Sequence, residues 1–154
     1  MQRYLWDRLN KHQVGSYAKY CVKAEFAMYG FRINETGIDE HGTYFEAGYN
    51  KTPPVEVQVR ALRQIDSYTF MLKSKFELHE RHYLSLALLF AGKAPTLYLF
   101  PSTRWRAPDS TFVDRDYEGL QSLPEWGLVI SPKKLEELES YRFETFIEKL
   151  ISIT

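Results

Sequence analysis

The chain has 154 residues and a mass of 18.2 kDa, with 44% hydrophobic and 26% charged side chains, which predicts one folded globular domain spanning residues 1–154, and it contains no repeat or low-complexity segment. Twenty basic and twenty acidic side chains cancel, so no global field draws the protein to nucleic acid and such binding requires a local basic patch. One cysteine, Cys21, excludes an internal disulfide, the opening MQRYLWDRLNKH has no apolar signal core, and the apolar run from Leu84 to Ala91 is too short to span a bilayer, so the expectation is a soluble cytoplasmic protein with no membrane partner.

The first pattern is helical. From Gln13 to Tyr29, the residues Val14, Ala18, Cys21, Val22, Glu25 and Met28 recur at spacings of three and four, and Gly30 is a natural stop. Glu25 on that stripe fits two readings, a carboxylate at the stripe edge or a site acid carried on the first helix. Strands follow at Phe31–Ile33 and Thr43–Ala47, separated by a turn at Asp39-Glu40-His41-Gly42. Gly48 to Pro54 turns the chain, and Val55–Leu62 alternates valine with Glu56, Gln58 and Arg60. Ser67–Leu72, Tyr83–Phe90 and Thr96–Phe100 read as further strands, Pro101–Ser110 as a loop, and Phe112–Leu123 as irregular and acidic. Leu128–Ile130 reads as a last short strand. Ser131-Pro132 opens a helix running to about Ile151, with a break expected near Phe143. Helix, several strands, then helix predicts an α/β or α+β domain around a central mixed sheet.

Few segments carry obvious chemistry. His79-Glu80-Arg81-His82 spaces two histidines as a transition-metal pair would on a helix, but it is short, polar, placed between strands and without an evident third ligand, so it reads as a solvated turn. Ser102 and Ser110 lack a nucleophile-elbow context, no glycine-rich phosphate loop occurs, and Cys21 reads as core. Arg104-Trp105-Arg106 offers an aromatic ring between two cations, a pattern that stacks on bases and holds phosphates, and Lys73, Lys75, Arg60 and Arg63 extend it. The preferred reading of this tripeptide is a surface loop whose tryptophan packs on the sheet.

The strand Val55–Leu62 invites a comparison. Together with the helix Gly15–Gly30, the turn Glu35–Phe45, the run Tyr68-Thr69-Phe70 before Lys73-Ser74-Lys75-Phe76, the segment Leu97–Thr103 and Trp105, it resembles a bacterial branch of the PD-(D/E)XK nuclease superfamily related to Holliday-junction resolvase-like proteins. The resemblance covers nearly the whole chain and implies a restriction-endonuclease-like core. It also implies a Mg²⁺ site of two acids (or an acid and a glutamine) from neighbouring strands, a lysine that activates water, and a glutamate on the first helix. The aligned positions depart from that set. Gln58 and Arg60 take the second acid and lysine positions, and arginine stays protonated and cannot act as a base. Lys19 takes the helix glutamate. Aligned through Asp39-Glu40-His41-Gly42-Thr43-Tyr44-Phe45, the first acid becomes Tyr44, a poor ligand for Mg²⁺. Aligned through Gly37-Ile38-Asp39, Asp39 keeps the position.

The leading expectation is therefore a degenerate nuclease-like domain that uses no cofactor and acts as a binding or interaction module, as a homodimer or on another partner. Two others stand beside it: an active Mg²⁺-dependent endonuclease using Asp39, Gln58 and Glu25, and a mobile-element accessory protein that binds a protein partner.

Overall fold

The computed structural model describes residues 2–39 and 42–153, with the backbone alone over 36–39 and 42–43. Its first long element is helix α1 (Lys11–Met28), which starts two residues earlier than the apolar stripe implies. The start is set by a capping box. The Asn10 side chain accepts the Gln13 amide at 2.8 Å, and the Gln13 side chain accepts the Asn10 amide at 2.9 Å. Gly30, at φ +92°, ends the helix in a conformation that other residues adopt at a cost.

The strands are β1 (Arg32–Asp39), β2 (Gly42–Gly48), β3 (Val55–Leu62), β4 (Ser67–Leu72), β5 (His82–Leu88), β6 (Thr96–Pro101), β7 (Phe112–Arg115) and β8 (Glu125–Ile130). The irregular, acidic reading of Phe112–Leu123 is corrected at its start, where β7 pairs with a β8 longer than expected. The C-terminal helix breaks just before Phe143, as expected: α2 (Pro132–Glu137) and α3 (Phe143–Ser152) are parted by a 3₁₀ turn over Glu139–Tyr141. Ser131 caps α2 by accepting the Lys134 amide at 3.3 Å.

The architecture is α+β. A five-stranded mixed sheet runs in the order β1-β2-β3-β5-β6, with β3 and β5 parallel and every other pair antiparallel. A three-stranded antiparallel sheet runs β4-β8-β7. Because side chains alternate along a strand, the two faces of the larger sheet feed two cores. Val14, Ala18, Val22 and Phe26 of α1 and Phe143, Ile147 and Leu150 of α3 pack on the face of Val55, Val57 and Tyr83. The other face, with Leu84, Leu86 and Leu88, packs against Met71, Phe76, Trp105, Phe112, Leu128 and Ile130. Glu56, Gln58 and Arg60 of β3 belong to this second face, opposite α1.

The smaller sheet contains one close approach. A Cβ built on Gly127 falls 2.5 Å from the Cε2 and Cζ carbons of Tyr68, whose hydroxyl donates to the buried Glu125 carboxylate. Alanine at 127 must push the Tyr68 ring outward and strip Glu125 of that donor. We expect Gly127→Ala to lower the urea midpoint by an amount equivalent to about 1–3 kcal/mol. In a Tyr68→Ala background the same change should cost clearly less, and equal costs in both backgrounds would refute this account.

Candidate functional site

Parallel pairing of β3 with β5 places Glu56 level with His82 and Gln58 level with Leu84, all on the face away from α1. The turn Lys73–Lys75 and the loop leading into β5 cover the start of these strands. They leave a pocket of about 90 Å³ lined by Tyr44, Glu56, Gln58, Lys75, Glu77, His79 and His82.

The backbone of the loop is tied down on several sides. The Glu56 amide donates to the Arg81 carbonyl at 2.7 Å. The buried Ser102 hydroxyl accepts the His79 amide at 3.0 Å and donates to the His79 carbonyl at 2.9 Å. Arg106 donates to the Leu78 carbonyl at 3.2 Å. So fixed, one ligand atom each of Glu56, His79 and His82 lies within 4.8 Å of the others, and His79 Nε2 is 3.4 Å from Glu56 Oε2. His82 is 4% exposed, its Nδ1 sits 2.6 Å from the Glu77 carbonyl, and its ring lies 4.4 Å from that of Phe76. With Nδ1–H donated to that carbonyl, Nε2 carries the lone pair. Burial pushes its pKa below the ordinary histidine value, against the pull of the Glu77 carbonyl and Glu56, so the ring is neutral at neutral pH. The solvated-turn reading of the two histidines is thus corrected. The side chain beside the two rings that the sequence left unseen is Glu56, two residues before Gln58 on the same strand face.

Residues singled out on the nuclease pattern are dispersed. Tyr44 shares the pocket with Gln58. Gln58 is buried and donates Nε2–H to the Lys75 carbonyl at 2.7 Å. Arg60 turns toward β4, donating to the Val59 carbonyl at 3.1 Å and the Phe70 carbonyl at 3.4 Å. Burial lowers the pKa of its guanidinium. Glu25 is exposed on α1, on the opposite side of the sheet, so it does not join Gln58. The side chain of Asp39 lies outside the described residues, as do Glu40 and His41 of the expected turn, while the backbone of Asp39 pairs with Gly42.

At the centre of the Arg104-Trp105-Arg106 tripeptide the packed-loop reading holds. Trp105 is 0% exposed and donates Nε1–H to the Gly127 carbonyl at 2.8 Å, so it offers no ring face to a base. A 3₁₀ turn over Ser102–Arg106 points it inward, while Arg104 is half-buried and Arg106 is exposed. Arg104 is paired with Asp109 at 2.6 Å and lies over the Phe112 ring, and Arg106 reaches Glu80 at 3.3 Å. Lys73 is held by Asp114 and by Asp116 at 2.7 Å; burial pulls its pKa down, but the two carboxylates outweigh it and hold it above the usual lysine value. Lys75 is exposed at the pocket.

No family model, curated protein or solved structure matches this chain. Among the described residues no helix is long and apolar enough to cross a membrane.

Proposed function

We propose that the chain is a binding or interaction module that does not hydrolyse phosphodiesters, built on a PD-(D/E)XK-like sheet that has kept its frame and lost the Mg²⁺ chemistry of that pattern. The observation that carries this reading is the parting of Gln58 and Arg60. Strand alternation gives them one face, yet the Gln58 amide is occupied by the Lys75 carbonyl and the Arg60 guanidinium by those of Val59 and Phe70. A Mg²⁺ hydrolase needs oxygen ligands and a proton acceptor converging on one water, and Arg60 supplies neither.

A second feature supports partner binding. An open cleft of about 930 Å³ runs between the start of α1, the end of β3 and β4, lined by Lys11, Arg60, Arg63, Tyr68 and Phe70, with Asp7 at its rim. Phe70 is 46% exposed there, and cations beside aromatic rings suit a single nucleic-acid strand.

The test is incubation of the purified chain with branched and linear DNA in Mg²⁺ or Mn²⁺. We expect no cleavage, and none from Arg60→Lys. Robust cleavage abolished by Asp39→Ala would establish the nuclease instead. Fluorescence anisotropy at low salt, with Arg60→Ala as comparison, separates partners. Oligonucleotide binding weakened by that change identifies nucleic acid, and no binding leaves a protein partner.

A further inference from the structure

We propose that Glu56, His79 and His82 form a binding site for a first-row transition-metal ion of the Zn²⁺ class, with ligands other than the Gln58 and Arg60 of the nuclease pattern. The donor set is two imidazoles and a carboxylate, which suits Zn²⁺, Co²⁺ or Ni²⁺ and not the all-oxygen preference of Mg²⁺ or Ca²⁺. Zinc–ligand bonds of about 2.0–2.1 Å put tetrahedral ligand atoms about 3.3–3.4 Å apart. The His79–Glu56 edge is already 3.4 Å, and contraction of the cluster from within 4.8 Å completes the triangle.

The surroundings are those of a built site. The Glu77 carbonyl receives His82 Nδ1–H, the outer-shell contact that orients a ligating imidazole and leaves Nε2 for the ion. Ser102 clamps the His79 backbone from both sides. Three protein ligands leave a fourth position for solvent or Glu77, in a pocket that Gln58 and Tyr44 also line. Lys75 is the one cation among the lining residues.

Loading has one structural consequence. His79 Nδ1 accepts the Arg81 amide at 3.2 Å, so the neutral ring carries its proton on Nε2. An ion bound at Nε2 moves that proton to Nδ1, and the Arg81 amide loses its acceptor.

The test uses the full chain, stripped with chelator and titrated calorimetrically with Zn²⁺ and spectroscopically with Co²⁺. One equivalent should bind, Co²⁺ should show the visible absorption of four-coordination, and the Arg81 amide resonance should shift. His79 and Glu56 have side chains only 31% and 32% exposed but lie outside both cores, so His79→Gln and Glu56→Gln keep the fold, checked by circular dichroism. Each should weaken binding by more than about 100-fold, beyond the loss of an outer-shell partner. His12→Gln, on the exposed side of α1, should leave it unchanged. Absence of saturable binding to the unaltered chain, or binding that survives Glu56→Gln and His79→Gln, overturns the proposal. The proposal is independent of DNA cleavage, so neither result decides the other.

Discussion

Trp105→Ala is expected to destabilise the fold by about 3–5 kcal/mol, the range for emptying a large aromatic site in a core. The indole is fully buried and meets Phe76, Phe100 and Phe112 edge-on, with ring centres 5.6, 6.4 and 5.1 Å away. These partners come from the turn before β5, from β6 and from β7, so the ring ties the larger sheet to the smaller one. Its removal leaves a void and also strands the Gly127 carbonyl, which now accepts Nε1–H. Trp105→Phe separates the two effects. It keeps most of the packing and loses the hydrogen bond, so its cost should be nearer 1–3 kcal/mol. Chemical denaturation followed by far-UV circular dichroism gives both values. A base-stacking Trp105 predicts the opposite pattern, with stability untouched and oligonucleotide binding lost.

The same tripeptide shows where the sequence stops being informative. Two arginines around a tryptophan fit a binding loop as well as the preferred packed one, because neither composition nor spacing states which side a 3₁₀ turn presents to the sheet. Strands fare better. Val55–Leu62 and Ser67–Leu72 are legible end to end, the first from valine alternating with polar residues and the second from its run of Tyr68, Thr69 and Phe70, both local signals. That β4 leaves β3 and joins β8 is not local, and it decides what Arg60 meets. The candidate metal site divides in the same way. The spacing of His79 and His82 is visible in the sequence, whereas Glu56 reaches them only through the parallel register of β3 and β5. A useful signal existed, because Glu56 shares a strand face with Gln58, but finding its partner requires knowing that the next parallel strand begins at His82.

Helix α1 carries the same lesson into the second large effect. Phe26→Ala is expected to cost about 3–5 kcal/mol, whereas Met28→Ala should change stability by less than about 0.5 kcal/mol. The stripe read through Cys21, Glu25 and Met28 drifts around the helix, and the buried row is Val14, Ala18, Val22 and Phe26, a strict spacing of four. Phe26 is fully buried and packs edge-on to Phe31, Phe45 and Phe143 at 5.2, 5.8 and 5.0 Å. It therefore joins α1, the start of β1, β2 and α3 at one point, and no neighbour can collapse into its place without releasing another ring. Met28, one turn edge away, is 81% exposed. The pair is a sensitive test of the helix orientation, because both residues are apolar and two positions apart. Equal losses in urea unfolding, or the larger loss at Met28, would mean that α1 is rotated from its described position. Glu25 would turn with it, yet α1 would still lie across the sheet from Gln58, so its separation from that face does not depend on the helix rotation.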